Sequence, residues 1–303
     1  MEEKNRFTVK EVQQKTYKRR DAWWTVLLVD PVASRLVVPV ANHTGITPNQ
    51  ISLAAFLLGG VAAGFFFLGD PVSLLAGAFL YHLSFLLDCM DGKIARLKGT
   101  GSVFGMWLDY MLDRFRVVTC ALALMGGQFV LTGQLFYLGL AILIIFLDML
   151  RYMDALQFYK LRQEMKKKIR QAKRNARQAY QQPFDEEDDD TVKTPPSATP
   201  VINMDLNAAF KKRFGWYLKI RDRLERARIR PHLFSGIEYQ MFIFIIAPIT
   251  GWIPQITLAA SLLLFLFEAA LIYKMWLSTR DLHHHLKEIE ESAKSETPLQ
   301  RLA

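Results

Sequence analysis

The sequence predicts an all-α integral membrane protein, on the evidence of its apolar runs and the placement of its charges. Of the 303 residues, 51% are hydrophobic and 22% are charged. The apolar residues are gathered in long uncharged runs, and about 20 such residues suffice to cross a bilayer as a helix. We therefore expect six transmembrane helices. They fall at about residues 51–69, 72–97, 102–126, 134–157, 236–250 and 254–278.

Basic residues are concentrated on one side of these predicted spans. The turns after the first, third and fifth spans contain no Lys or Arg, whereas residues 18–20, 93–98 and 160–230 are rich in both. The positive-inside rule then places both termini in the cytoplasm, and the even number of spans agrees with this. We expect a multi-pass protein of the cell membrane. In such a protein the net charge of +9 reflects the membrane topology and contact with anionic lipids. No nucleic-acid binding is expected.

The region before the first span, residues 1–46, is predicted to be a cytoplasmic N-terminus with an interfacial helix. Its first 20 residues are highly charged and lack the apolar core of a secretory signal peptide. Residues 23–40 are apolar but include Asp30, Arg35 and two prolines, which favours a helix lying in the membrane interface. Thr47 and Pro48 then have the pattern of a helix start.

A charged insertion, residues 158–234, separates spans one to four (47–157) from spans five and six (235–278). It begins with a basic helical extension of span four, and we expect its acidic, proline-rich stretch at 181–203 to be disordered. A second basic helix over about 207–228 would complete a cytoplasmic helical hairpin, with a binding module as the alternative. Glu238 is expected to cap span five. Residues 279–303 form a cytoplasmic tail.

Four aspartates occupy adjoining ends of spans two and three. Asp88 and Asp91 are three residues apart, and Asp109 and Asp113 are four apart, so each pair lies on one helix face. The Gly-containing turn at 97–102 would bring the two pairs to the same depth near the cytoplasmic surface. Carboxylates within a span are costly unless they are neutralised. Their number and their hard oxygens favour Mg²⁺, Mn²⁺ or Ca²⁺.

The complete spacing of this region carries a family resemblance. It reads Asp88-x2-Asp91-Gly92-x2-Ala95-Arg96-x8-Gly105-x3-Asp109-x3-Asp113 and matches all eight fixed positions of the CDP-alcohol phosphotransferase signature. The chain is identified as a member of that family by this resemblance. The motif covers 26 residues, and the resemblance extends to the six-span layout and to the Thr47-Pro48-Asn49 entry of span one.

The resemblance implies an enzyme that cleaves a CDP-alcohol at its pyrophosphate, passes the phosphoryl-alcohol part to a second alcohol and releases CMP. It implies two Mg²⁺ or Mn²⁺ ions on Asp88, Asp91 and Asp109, with Asp113 as a further ligand or the catalytic base. Proton loss to water is the alternative to a base. A homodimer is also expected. The implied nucleotide contacts are Gly92, Ala95, Arg96, Gly105 and Asn49, and close helix packing is the alternative for the small residues.

The substrates are less constrained by the sequence. LDYMLDRFR, which begins at Leu108, resembles the branch that uses inositol phosphate or related polyols, and DAWWTVLLVDPVASRL with ITPNQIS is similar to di-inositol-phosphate synthases. CDP-diacylglycerol is the favoured donor, with glycerol phosphate or diacylglycerol acceptors, or a soluble CDP-polyol donor, as alternatives. Arg114, Arg116 and Arg151 are candidate contacts for an acceptor phosphate, or else they snorkel or set the topology.

Two other functions compete with the transferase. Acidic clusters in spans also line cation pathways, but these carboxylates lie at one membrane face, whereas a pathway needs polar groups across the bilayer. A catalytically idle scaffold has no reason to keep four costly charges. The sequence therefore favours the transferase.

Overall fold

A computed structural model describes residues 6–179 and 222–295, which form helices and their connections. Within these ranges there is no β-strand, and one isolated backbone bridge joins Asp21 to Ile229. The predicted all-α class is therefore confirmed. The helices are α1 (Val9–Thr16), α2 (Thr25–His43), α3 (Pro48–Leu68), α4 (Pro71–Lys98), α5 (Val103–Thr132), α6 (Phe136–Ala179), α7 (Gly236–Thr250) and α8 (Ile253–Ser295).

Six of the described helices are long and apolar enough to cross a membrane, namely α2, α3, α4, α5, α6 and α8. The predicted number agrees, but α2 belongs to this group whereas α7, the predicted fifth span, is shorter. The charge on Asp30 is one of the observations that favour an interfacial position for α2 in the sequence. From sequence alone it reads as an uncompensated charge, yet in the structure it is buried and paired with Lys93 and Arg228. The interfacial position of α2 remains a prediction.

Helix starts follow the expected capping chemistry. Thr47 and Gln50 form a reciprocal capping box at the start of α3. Glu238 accepts hydrogen bonds from the backbone and hydroxyl of Ser235, at 3.0 and 2.9 Å, so its predicted cap at the start of α7 is confirmed. Asp70 caps α4, and hydrogen bonds from Ser73 lower the pKa of this carboxyl from its ordinary value.

The described chain divides into two compact units. The first contains α1 to α5, α7, and the beginnings of α6 and α8. Here α3 packs against both α4 and α5, and an aromatic group of Phe66, Tyr81 and Phe244 fills the interior. The ring centroids of Tyr81 and Phe244 are 4.7 Å apart. Gly127 lets α5 approach α3, since a Cβ there would lie 2.4 Å from the Phe67 carbonyl oxygen.

The second unit contains the later parts of α6 and α8. Its buried core consists of Met165, Met275 and Leu282. The predicted basic extension of span four is helical through Ala179. The acidic stretch at 181–203 and residues 207–221 of the second basic helix lie outside the described residues, so the hairpin and the domain boundaries remain predictions.

Candidate active site

The carboxylate cluster is built by three helices. A short turn after α4 leads directly into α5, with Gly99 in the left-handed conformation at φ 65° and Ser102 accepting from the Gly105 amide at 2.9 Å. Because α3 packs against both helices, its first turns lie beside the ends that carry the aspartates. The hydroxyl of Ser52 in α3 donates a short hydrogen bond to Asp91 in α4.

Asp88, Asp91 and Asp109 converge as the sequence predicts. Each offers one carboxylate oxygen, and these three oxygens all lie within 4.8 Å of one another. Asp91 is only 4% exposed, while the other two are half-buried. Three hard oxygen donors at this separation fit Mg²⁺ or Mn²⁺, which accept carboxylates and retain water or substrate oxygens as further ligands. The cluster can therefore hold a divalent cation.

Asp113 lies beside this group but faces arginine side chains. Arg116 binds one of its oxygens, and Arg114 Nη2 lies 3.9 Å from the other. Arg116 also reaches Asp88 at 3.4 Å and the Ser84 hydroxyl at 3.2 Å. Asp113 is thus connected to the cluster through Arg116. Its assignment as a metal ligand or a base remains a prediction.

The three arginines proposed for an acceptor phosphate all have carboxylate partners. Arg114 and Arg116 are buried, and Arg114 is bound by Asp148, which also accepts from Gln240 at 2.8 Å. Arg151 belongs to the second unit, where its Nε lies 3.3 Å from Glu268. These contacts show that the three arginines are paired within the fold, and burial at Arg114 and Arg116 is not the arrangement of a side chain that snorkels. Their role in acceptor binding remains a prediction.

Several of the predicted nucleotide contacts are neighbours. A Cβ at Gly105 would lie 2.7 Å from the Asn49 side-chain oxygen, so α5 and the start of α3 approach each other closely at this glycine. Arg96 is exposed, and its Nε donates to the Thr16 carbonyl at 3.1 Å. Gly92 lies beside the Arg96 guanidinium, and Ala95 lies next to Gly101 in the turn. The geometry is compatible with the nucleotide assignment.

Two residues of the site were missed by the sequence reasoning. Ser84 lies four residues before Asp88 on the same face of α4, and that spacing could have indicated its contact with Arg116. Asp148 is entirely buried and lies 34 residues from its partner Arg114 on another helix. No local pattern in the sequence indicates a pairing over that distance.

Comparison with known proteins gives a consistent result. Residues 45–177 match the family described as CDP-alcohol phosphatidyltransferase. The Methanothermobacter thermautotrophicus protein named archaetidylinositol phosphate synthase is 33% identical over 107 residues, which cover 35% of this chain and 53% of that protein. The Thermococcus kodakarensis protein named bifunctional IPC transferase and DIPP synthase is 41% identical over 70 residues, 23% of this chain and 15% of that protein. The Corynebacterium glutamicum protein named phosphatidylinositol phosphate synthase is 34% identical over 89 residues, 29% of this chain and 37% of that protein. The matched stretch thus spans about half the length of the first relative and less of the other two.

Proposed function

We propose that this chain, of which residues 45–177 match the CDP-alcohol phosphatidyltransferase family, is a membrane transferase that makes a phospholipid headgroup. In this proposal it moves a phosphatidyl group from CDP-diacylglycerol to an inositol phosphate and releases CMP. The observation that carries the proposal is the convergence of Asp88, Asp91 and Asp109 within the family motif. The names of two matched relatives, archaetidylinositol phosphate synthase and phosphatidylinositol phosphate synthase, support the acceptor.

The aspartates would hold Mg²⁺ or Mn²⁺. Bound divalent cations supply positive charge that neutralises a diphosphate and stabilises the leaving phosphate oxygen. The chain's own contribution is orientation: Ser52 fixes the Asp91 carboxylate, and Arg116 fixes Asp88 and Asp113.

The reaction replaces one phosphoanhydride bond of the donor with one phosphoester bond. The acceptor hydroxyl oxygen forms a new bond to the phosphatidyl phosphorus, and the phosphorus–oxygen bond to CMP breaks with its electron pair leaving on CMP. In the proposal, Asp113 takes the proton of the attacking hydroxyl. Its place beside the metal-binding trio supports this role, whereas its ion pair with Arg116 weakens it as a base, so that substrate binding would have to loosen this ion pair before the proton is taken.

We further propose a cytoplasmic active site in the cell membrane and a homodimer. The basic residues flanking the 99–102 turn support the cytoplasmic placement through the positive-inside rule. The long apolar helices support a multi-pass arrangement. The dimer follows from the family resemblance alone.

The test is CMP release by the purified protein in detergent. CDP-diacylglycerol is offered with inositol phosphate, inositol, glycerol phosphate or serine, with Mg²⁺ or Mn²⁺ and with a chelator. The proposal predicts metal-dependent CMP release with inositol phosphate, and its loss in Asp113→Asn. CMP release only from a soluble CDP-polyol, with a lipid as acceptor, would show that the polyol comes from the donor and that the lipid is the acceptor. No CMP release from either donor would overturn the transferase proposal and reopen the cation pathway.

A further inference from the structure

The N-terminal helix α1 contacts the motif helix α4 at Arg96. The two helices pack against each other, and Arg96 Nε donates a hydrogen bond of 3.1 Å to the carbonyl of Thr16, the last residue of α1. The carbonyl end of a helix attracts a cation, so the contact is favourable for a guanidinium. Within the described part of the chain, Arg96 makes no ion pair with a carboxylate. Its two terminal nitrogens are therefore available to an anionic ligand.

The terminal nitrogens of Arg96 lie over Gly92. A Cβ at Gly92 would be 3.5 Å from Nη1 and 3.7 Å from Nη2, and the three atoms nearest to it all belong to Arg96. Asp88, Gly92 and Arg96 follow one another at intervals of four residues, so they lie along one face of α4. Gly92 is about 6 Å from Asp88 along the helix axis. An anion bound at the metal-binding trio would therefore lie within reach of this guanidinium.

The backbone that carries the Thr16 carbonyl is held by Arg228. This carbonyl belongs to the peptide bond between Thr16 and Tyr17. The guanidinium carbon of Arg228 lies 4.0 Å from the ring centroid of Tyr17, and its Nε donates to the carbonyl of the next residue, Lys18, at 3.2 Å. The Tyr17 hydroxyl donates to the Asp30 carbonyl at 3.1 Å. The peptide therefore cannot turn its carbonyl away from Arg96 without the loss of several contacts.

Arg228 is itself anchored on two sides. Its Nη2 lies 2.9 Å from Asp30, whose other oxygen lies 2.8 Å from Lys93 of α4, and its carbonyl accepts from the Asp21 amide at 2.8 Å. Arg228 adopts φ 62°, a left-handed conformation that costs energy for a residue with a Cβ. Such a conformation persists where surrounding contacts over-determine it. The support for Arg96 thus comes from outside residues 45–177, the part that matches the family.

From these contacts we propose that Arg228 is a positioning residue for donor binding. It holds the Thr16 carbonyl in place, and that carbonyl fixes the Arg96 guanidinium toward the diphosphate of a CDP-alcohol. The inference rests on the proposed function. A guanidinium whose Nε is already bound presents its other nitrogens in a defined direction, which suits the paired oxygens of a phosphate. Less of its conformational freedom is then lost when the nucleoside diphosphate binds.

The test is calorimetric titration of CDP, the water-soluble part of the proposed donor, into Mn²⁺-loaded protein in detergent. Arg228→Gly removes the guanidinium and allows φ 62° without strain. Asp30 keeps its partner Lys93, so we expect the variant to fold, with an unchanged affinity for Mn²⁺ as the check. We expect its dissociation constant for CDP to rise about tenfold, the usual effect of losing a hydrogen bond to a charged group.

Arg20→Met is the matched control. Arg20 also joins the N-terminal segment to the residues that follow the insertion, through an ion pair of 2.9 Å with Glu225. Its side chain is 26% exposed, against 28% for Arg228, but it has no contact with the Thr16–Lys18 backbone in the described structure. We expect Arg20→Met to bind CDP as tightly as the parent chain.

A double-variant cycle separates positioning from a general effect on the fold. Arg96→Met removes the guanidinium that is being positioned, and we expect it to weaken CDP binding by about tenfold or more. If Arg228 acts through Arg96, the variant with both Arg228→Gly and Arg96→Met binds CDP no more weakly than Arg96→Met alone. Independent effects would multiply instead. In the active enzyme, Arg228→Gly should raise KM for CDP-diacylglycerol and leave KM for inositol phosphate unchanged.

The positioning role is overturned by unchanged CDP affinity in Arg228→Gly or in Arg96→Met, by an equal loss in Arg20→Met, or by losses that multiply in the double variant. A parent chain that binds no CDP overturns it as well. If the parent chain binds CDP but releases no CMP with any acceptor, the proposed function fails separately, and the titrations still decide the role of Arg228.

Discussion

At the scale of single residues, the Ser52 hydroxyl is the contact that orients the buried carboxylate of the cluster. It donates a short hydrogen bond to Asp91 and lies 3.2 Å from the Pro48 carbonyl oxygen of its own helix. Groups that orient a metal ligand typically contribute about 10-fold to 100-fold to metal affinity. We therefore expect this hydroxyl to support metal binding as well as helix packing.

We predict that Ser52→Ala weakens Mn²⁺ binding by about 10-fold to 100-fold without unfolding the protein. The measurement is calorimetric titration of Mn²⁺ into chelator-treated protein. Ser278→Ala is the matched control, because Ser278 also bonds to a carbonyl four residues earlier, that of Lys274, but has no carboxylate partner in the described structure. Equal Mn²⁺ affinity in Ser52→Ala and the parent would contradict the assignment.

The aspartate cluster was predictable because its determinants are local. Helical spacing and a glycine turn are sufficient to bring Asp88, Asp91 and Asp109 together. The pairing of Asp113 with Arg116 is also local in spacing, but nothing in the residue pattern distinguishes that pairing from a direct metal contact. The Arg114–Asp148 pair depends on the packing of two separate helices, so it becomes visible only in the folded structure.

At the scale of helices, the packing of α3 against α5 holds together the helix that carries Ser52 and the helix that carries Asp109. Gly127 is the closest approach, since a Cβ there would lie 2.4 Å from the Phe67 carbonyl oxygen. A backbone atom cannot move aside as a flexible side chain can. The neighbouring Gly126 has room, because its Cβ would lie 3.8 Å from the Phe67 ring.

We expect Gly127→Ala to separate α5 from α3 and to destabilise the protein by about 1–3 kcal/mol, the usual cost of overpacking. Gly126→Ala makes the same chemical change one residue away and should leave stability unchanged or slightly raised, because alanine favours helix. Thermal unfolding in detergent, followed by circular dichroism, compares the two. Equal unfolding midpoints for both variants would show that the close approach of Gly127 to the Phe67 carbonyl does not contribute to stability.

The expected spans and the observed long apolar helices differ at α2 and α7. Helix α2 is long and apolar enough to cross a membrane although it contains Asp30, whose two partners come from α4 and from residue 228, far away along the chain. A paired charge inside a membrane costs much less than an isolated one. Apolar runs predicted α3, α4 and α5 well, whereas the position of α2 at the membrane interface remains a prediction.

At the scale of the whole molecule, the distribution of basic residues predicts which ends of the helices face the cytoplasm. The turn between α4 and α5 joins the two helix ends that carry the aspartate cluster, and the turn between α5 and α6 lies at the other end of α5. Thr100 in the first turn and Gln134 in the second are both exposed. These two positions are therefore suitable for testing the orientation.

We predict that a membrane-impermeant maleimide labels Gln134→Cys in intact cells and labels Thr100→Cys only after permeabilisation. The parent chain is the control, because Cys120 is buried and Cys89 is half-buried. Labelling in the reverse pattern would place the carboxylate cluster on the outer face and contradict the cytoplasmic active site.

The central claim is that the cluster of Asp88, Asp91 and Asp109 transfers a phosphatidyl group. It is tested most directly by measuring CMP and the lipid product in the same reaction. Purified protein is incubated with CDP-diacylglycerol, inositol phosphate and Mn²⁺, and both products are quantified by mass spectrometry. The account predicts one phosphatidylinositol phosphate for each CMP, and neither product with Asp91→Asn. CMP without the lipid, or equal product formation by Asp91→Asn, would contradict it.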